Sequence, residues 1–176
     1  MQQLRYCEQK TIKGTNIKKI ILVALMLLGL GTSASADVFA DNKKACETGD
    51  MNGCSNLGNW YSKGQGVEQD YFKGMEFYTK ACDGGHFKGC YNLGVIYDNG
   101  LGVKQDYLKA VQFYIKACNG GNIDGCFNLG IIYYVGQGIK QSNKNALKYW
   151  GKACDGGHAS ACKNYIILHT KQQRGQ

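Results

Sequence analysis

The 176-residue chain carries 21 Lys and Arg against 13 Asp and Glu, which gives a formal net charge of +8. Five of the basic residues lie in the first 36 positions, so residues 37–176 retain a net charge of only +4, spread along the chain. Such a mild and dispersed charge does not form the basic footprint of a nucleic-acid-binding protein, and no nucleic acid is expected among its partners.

The N-terminal segment has the organisation of a secretory signal peptide. Several lysines precede the apolar run "IILVALMLLGLG" at 20–31, and the small-residue pattern Ala-Ser-Ala follows at 34–36. Twelve apolar residues are too few to span a bilayer comfortably, and no cysteine stands at a lipoprotein position, so we expect no stable membrane anchor. We predict a signal peptide over 1–36, with cleavage after Ala36 or alternatively after Ala40, and a secreted or periplasmic protein.

The cysteines beyond this segment reveal an internal repeat of 36 residues. Cys7 lies in the predicted signal peptide, and the even number that remains favours a disulfide framework in an exported chain. The eight cysteines form two series in the same register: Cys46, Cys82, Cys118 and Cys154, and Cys54, Cys90, Cys126 and Cys162. We predict a repeat domain over 37–171 of about 3.5 repeats, with units starting near 46, 82, 118 and 154 and a frayed tail at 172–176.

Each unit contains two helical patterns, and strand alternation is nowhere sustained. In the second unit the first helix is predicted over about Phe87–Asn99 and the second over about Gln105–Cys118, with Asp106 placed to cap it. Gly100 and Gly102 supply the left-handed backbone that ends the first helix. Because a helix pair of this size cannot bury its apolar face alone, the sequence predicts an all-α solenoid of stacked pairs.

The nine-residue phrase "CDGGHFKGC" at 82–90 links one predicted pair to the next. A short turn between antiparallel helices brings its two cysteines within disulfide reach. A zinc site would need about four ligands, whereas each copy offers at most three, and redox pairs are usually closer together. The residues aligned with His86 (Asp50, Asn122 and His158) favour helix initiation. We therefore interpret the cysteines as structural clamps and expect no metal and no cofactor.

The spacing "NLG…Y…G-x-GV…D…A…Y-x-KAC" resembles the Sel-like repeat, a relative of the tetratricopeptide repeat. Over residues 41–170 the paired cysteines look like those of the Hcp family of secreted bacterial cysteine-rich proteins. The resemblance implies a right-handed αα-solenoid of disulfide-clamped helix pairs, which we expect to be a monomer. It also implies a surface for peptides and proteins, and a classification as penicillin-binding or beta-lactamase-like.

The residues themselves give weak evidence for an enzyme. Ser160 and Lys163 satisfy the Ser-x-x-Lys pattern of serine beta-lactamases, but the companion motifs Ser-Asp-Asn and Lys-Thr-Gly are absent. The alternative function of a weak beta-lactamase-like hydrolase is therefore implied by the resemblance alone. No catalytic residue is assigned.

A ligand surface is expected on the first helices of the units, which line the concave face in tetratricopeptide-like stacks. One asparagine recurs there, and its amide either holds an extended peptide backbone or bonds neighbouring repeats: Asn56, Asn92, Asn128 and Asn164. Tyr91, Phe127 and Tyr134 are candidates for anchoring apolar side chains or for packing between repeats. We predict that this face binds a peptide or protein, with a beta-lactam or cell-wall-related small molecule as the alternative ligand.

Overall fold

The computed structural model describes residues 35–175. The predicted signal peptide therefore lies outside the described residues, apart from its last two positions. Contacts divide the chain into two units, Met1–Ala40 and Asp41–Gln176, and all of the repeats lie in the second unit. In the described part of the chain, no helix combines the length and the apolar character needed to cross a bilayer.

Residues 35–175 form eight α-helices and no β-strand, which confirms the predicted all-α class. Helix α1 covers residues 35–47, of which 41–47 belong to the second unit. Six helices of 13 residues follow: α2 Met51–Lys63, α3 Tyr71–Asp83, α4 Phe87–Asn99, α5 Tyr107–Asn119, α6 Ile123–Val135 and α7 Asn143–Asp155. Helix α8 covers Ala159–Gln173, so it extends into the segment predicted to be frayed.

Helix α5 shows how the second helix of a pair begins. Asp106 is in an extended conformation, and its carboxylate accepts a hydrogen bond from the backbone N–H of Lys109 at 3.0 Å. This cap satisfies one of the free N–H groups of the first turn. The helix therefore starts at Tyr107, two residues after the predicted Gln105, because the capping residue itself is not helical.

The first helices begin at the residues aligned with His86. Three of these residues accept a hydrogen bond from the first turn through their side chains: Asp50, Asn122 and His158. His86 precedes α4 at the same position, but its side chain makes no capping hydrogen bond. The predicted helix start is therefore confirmed at all four positions, and a side-chain capping bond is present at three of them.

Glycines with left-handed backbone angles terminate α2, α4 and α6. Gly64, Gly100 and Gly136 have φ angles of 64°, 67° and 78°. Residues with a β-carbon adopt such angles only rarely, so glycine makes this chain reversal possible. The predicted end of α4 at Asn99 is confirmed.

Each helix packs against the next one along the chain, and α2 with α3, α4 with α5 and α6 with α7 form the closest pairs. One disulfide crosses each of the four turns that lead into α2, α4, α6 and α8, with Cα atoms 4.5–4.7 Å apart. The four bridges are Cys46–Cys54, Cys82–Cys90, Cys118–Cys126 and Cys154–Cys162. The architecture is therefore the helix-pair solenoid with clamped junctions that the repeat predicts.

In two copies of the recurring phrase "KAC", the lysine joins successive repeats. The ammonium group of Lys80 donates to the carbonyl oxygen of Cys46 at 3.0 Å, and that of Lys152 donates to the carbonyl oxygen of Cys118 at 3.4 Å. Each acceptor belongs to the last turn of the helix one repeat earlier, where backbone carbonyls lack helical partners.

Each helix pair also brings a glycine against an aromatic ring. The contacts are Gly58 with Tyr78, Gly94 with Tyr114, and Gly130 with Trp150. A β-carbon added at these glycines would lie 2.2–2.5 Å from the ring, so glycine alone lets the two helices approach this closely. The leucine before each glycine is at most 1% exposed and forms the adjacent core.

Helix α8 departs from this arrangement. Ile166 occupies the position of the glycine and is 62% exposed, while Tyr165 replaces the leucine. Helix α8 packs on α7 and is held there by the Cys154–Cys162 bridge. Because Ile166 carries a branched side chain, α8 lacks the flat surface on which the aromatic ring of a further second helix would lie.

Candidate functional site

The first helices of neighbouring pairs are in contact, since α2 touches α4 and α4 touches α6. Two pockets open among these helices, and several of the residues that line them are related by two repeats, or 72 positions. The equivalent lining residues are Asn59 and Ile131, Tyr78 and Trp150, Asn92 and Asn164, and Val95 and Ile167. We call this surface the A-helix groove and define it by residues 59–62, 92–98, 128–134 and 164–171.

The first pocket lies between α2 and α4 and has a volume of about 370 Å³. The hydroxyl of Tyr78 donates a hydrogen bond to Asn59 Oδ1 at 2.8 Å, and burial raises the pKa of this tyrosine. Asn92 lines the same pocket, and its amide nitrogen is buried without a hydrogen-bond partner among residues 35–175. The pocket therefore contains a buried donor group that no protein acceptor satisfies.

A carboxylate occupies the middle of the groove. Asp98 is the repeat equivalent of Ser62 and Tyr134, which line the two pockets. Its Oδ2 atom accepts a hydrogen bond from the buried hydroxyl of Tyr114 at 3.2 Å. Burial raises the pKa of Asp98, and the hydrogen bond from Tyr114 opposes that rise. Burial also raises the pKa of Tyr114 well above its ordinary value, and the neighbouring Asp98 charge adds to this effect.

The terminal pocket lies between α6 and α8 and has a volume of about 280 Å³. Its lining is mostly apolar and consists of Ile131, Tyr134, Trp150, Asn164, Ile167, Leu168 and Lys171. The rings of Tyr134 and Trp150 are tilted against each other, with centroids 5.3 Å apart. The indole N–H of Trp150 donates to the carbonyl oxygen of Phe127 at 3.2 Å, which fixes the orientation of the ring. The exposed faces of Tyr134 and Ile167 remain accessible to a ligand.

The four recurring asparagines have different surroundings. Asn56 donates from Nδ2 to Asn42 Oδ1 at 2.8 Å, and the Asn128 side chain interacts with the hydroxyl groups of Tyr91 and Tyr114. These two asparagines therefore bond neighbouring parts of the stack. Asn92 and Asn164 line the first and the terminal pocket instead. The sequence could not separate these two uses, because the surrounding residues of the four asparagines are nearly the same.

The aromatic candidates also divide into two groups. Tyr91 packs against the ring of Tyr114 at 5.9 Å, and Phe127 stacks on His158 at 4.1 Å, so both contribute to packing between repeats. Burial raises the pKa of Tyr91, with a smaller contribution from the charge of Asp124. Tyr134 alone among the three lines a pocket and is 42% exposed.

Several groove residues were missed from the sequence. Tyr78, Tyr114 and Trp150 lie in the second helices, yet each follows its glycine by 20 positions and contacts the groove lining. An aromatic residue recurring at this spacing was the available signal. Asp98 gave no signal as a repeated feature, because the equivalent positions hold serine and tyrosine.

The residues considered for catalysis or metal binding are not assembled into a site. Ser160 and Lys163 are both exposed near the start of α8, outside the two pockets. All eight cysteines of the repeats are oxidised to disulfides. Within residues 35–175, no three side chains of the His, Cys, Asp and Glu types lie close enough together to share a metal ion.

Comparison with protein families assigns the repeats. The Sel1 repeat model matches residues 52–86, 88–122 and 123–158. The comparison with curated protein sequences found no match.

Three solved structures are similar to this chain. A Sel1 repeat protein from Oxalobacter formigenes is 30% identical over 72% of this chain and 51% of its own, with a TM-score of 0.69. A protective antigen of uropathogenic Escherichia coli with an SLR fold is 28% identical over 78% of this chain and 30% of its own, with a TM-score of 0.71. Helicobacter pylori cysteine-rich protein B is 35% identical over 75% of this chain and 95% of its own, with a TM-score of 0.60. The chain thus spans about half of the first relative, under a third of the second and nearly all of the third.

Proposed function

Because the chain belongs to the Sel1 repeat family, we propose that it binds an extended segment of a peptide or partner protein in the A-helix groove, on the concave face of the stack. Sel1 repeats generally mediate protein–protein interactions, and the likeness to cysteine-rich protein B covers nearly the whole of that relative. The proposal assigns this general activity to one particular surface of the chain.

The observation that carries the proposal is the pair of pockets in repeat register. An elongated ligand that occupies both must cross the surface between them, where Asp98 and Asn128 lie. In the first pocket, a rotation of the Asn92 side chain toward the groove would offer its buried amide nitrogen to a backbone carbonyl of the ligand. A buried donor without a partner costs about 1–3 kcal/mol, so this contact would remove an existing penalty.

We further propose that the protein acts outside the cytoplasm. Four disulfides form and persist in oxidising compartments, and residues 1–36 would direct the chain there as a signal peptide. Reducing conditions would remove the clamps that hold successive helix pairs in register. Binding experiments therefore require the oxidised protein.

A displayed library of random dodecapeptides, selected on the immobilised oxidised protein, would test the function. Enriched peptides are then synthesised, and their dissociation constants are measured by fluorescence anisotropy. Tyr134→Ser should weaken binding by about 10-fold or more, because it removes an aromatic ring from the terminal pocket. The matched control is Phe72→Ala, which removes an exposed ring from α3 outside the groove.

Equal affinities for the wild type, Tyr134→Ser and Phe72→Ala would place the binding surface elsewhere. A library without any enriched peptide would contradict peptide binding itself. Correct folding of each variant is checked by its disulfide content and its thermal denaturation.

A further inference from the structure

The middle of the groove differs from its two ends in charge. At the repeat position of Asp98, the pocket on one side has Ser62 and the pocket on the other has Tyr134. Among residues 35–175, no lysine, arginine or histidine forms an ion pair with Asp98. In the same part of the chain, the hydrogen bond that its carboxylate accepts comes from the hydroxyl of Tyr114. Asp98 therefore presents a partly desolvated negative charge that no protein cation neutralises.

A cationic side chain is the complementary ligand group. A carboxylate that is already partly removed from water has lost some of its solvation, so a charge-assisted hydrogen bond to it is stronger than one in open solvent. One oxygen of Asp98 is used by Tyr114, and the other remains for an ammonium or guanidinium group. Tyr114 itself is buried and fixes the direction of the carboxylate.

The terminal pocket supplies the second determinant. It is lined by two aromatic rings and two isoleucines, and its volume of about 280 Å³ suits one large apolar side chain. Tyr134 on α6 lies one repeat after Asp98 on α4, and these two helices are in contact. The pocket that Tyr134 lines lies beyond α6, between α6 and α8, so a ligand that occupies both determinants must cross α6.

This path requires an extended ligand. Packed helices are about 8–10 Å apart, so the path from α4 to the far side of α6 is longer than that distance. A polyproline II segment rises about 3.1 Å per residue and a β-strand about 3.3 Å. The two side chains of the ligand are therefore at least about three residues apart.

We infer that the groove selects a peptide segment in which a lysine or arginine, bound at Asp98, lies at least about three residues from a large apolar side chain, bound in the terminal pocket. This specificity rests on the proposed peptide-binding function. It identifies the partner as an extended basic and apolar segment, in contrast to an acidic one.

The test uses fluorescein-labelled decapeptides, capped at both ends, with arginine and phenylalanine about three, four or five residues apart in either order. Comparison peptides replace arginine by uncharged citrulline, or place phenylalanine directly beside arginine. We expect at least one of the separated peptides to bind the oxidised protein at least about 10-fold more tightly than both of its comparisons. Fluorescence anisotropy is measured in low salt and in physiological salt.

Two variants assign the two subsites. Asp98→Asn keeps an acceptor for Tyr114 but removes the charge, so it should abolish the preference for arginine over citrulline. Tyr134→Ser introduces the residue of the first repeat and should abolish the preference for separated over adjacent arginine and phenylalanine. The matched control Glu76→Gln removes an exposed carboxylate of α3 and should leave both preferences unchanged.

The outcomes separate this inference from the function on which it rests. If the peptides bind with equal affinity but Tyr134→Ser still weakens them all, the groove binds peptides and the inferred specificity is wrong. If Asp98→Asn leaves the arginine preference intact, the cationic subsite is wrong. If neither these peptides nor any selected peptide binds, both the function and the specificity are wrong.

Discussion

Replacing Gly94 by alanine tests whether the close approach of α4 and α5 depends on a missing β-carbon. The added carbon would lie 2.5 Å from two atoms of the Tyr114 ring, which is fully buried and hydrogen-bonded to Asp98. Overpacking of this kind costs about 1–3 kcal/mol, whereas glycine to alanine inside a helix gains about 1 kcal/mol. We therefore expect Gly94→Ala to lower the free energy of unfolding by up to about 2 kcal/mol.

The sign of this effect should reverse when the ring is absent. In the Tyr114→Ala background only the helix-propensity gain remains, so Gly94→Ala should raise the free energy of unfolding by about 0.5–1 kcal/mol. The coupling between the two substitutions then equals the overpacking cost of about 1–3 kcal/mol. Urea denaturation of the oxidised proteins, followed by circular dichroism, measures all four members of the cycle.

Gly151 provides the matched control for this cycle. It lies inside α7, and a β-carbon there would approach the Tyr165 ring only to 3.3 Å, so alanine should be tolerated or slightly stabilising. The same effect of Gly94→Ala in both backgrounds would refute the steric explanation. Loss of stability on Gly151→Ala as large as on Gly94→Ala would refute it as well.

Three further predictions concern the clamps, the caps and the groove carboxylate. Replacing Cys82 and Cys90 together by serine should lower the free energy of unfolding by about 2–3 kcal/mol, and an unchanged urea midpoint would contradict the role of the bridge. Asn122→Ala should cost about 1 kcal/mol, whereas His86→Ala should cost under about 0.5 kcal/mol because its side chain makes no capping bond; equal urea midpoints would contradict this. Burial raises the pKa of Asp98 above its ordinary value of 3.8, so the folded state holds this proton more tightly than the unfolded state does. The resulting stabilisation is fully present below pH 3.8 and is lost as the pH rises through the raised pKa. Asp98→Asn should therefore be more stable than the wild type at pH 7, with a difference that shrinks as the pH falls from the raised pKa to 3.8; a constant difference would contradict the shift.

The repeat architecture could be predicted from the sequence because every signal occurred several times. Cysteines, glycines and capping residues at a period of 36 predicted the helix pairs and their clamped junctions, and the bounds of α4 were correct at both ends. The sequence did not show which of the capping residues bond through their side chains, because it gives the residue type at a position and leaves the side-chain rotamer undetermined. The imidazole of His158 accepts a bond from Ala161, whereas that of His86 makes none at the equivalent place.

The groove was less predictable because its important residues break the repeat. Asn92 and Asn128 look equivalent in the sequence, yet one lacks a partner for its amide nitrogen and the other interacts with two tyrosines. The difference arises from neighbours on other helices, at positions where the units differ. Periodicity identifies the residues that build the scaffold, whereas the chemical differences along the groove lie in the exceptions, such as Asp98.

The contrast between glycine and Ile166 also determines how such a stack can change in length. At the internal junctions, one disulfide, one glycine and one aromatic ring recur at the same spacing. Duplication of a 36-residue segment between residues 83 and 154 would therefore create a new junction made of the same parts, and it would lengthen the groove by one subsite. An additional pair placed against α8 would instead meet the branched side chain of Ile166. Duplication within the repeats therefore extends the stack from its interior, one helix pair at a time.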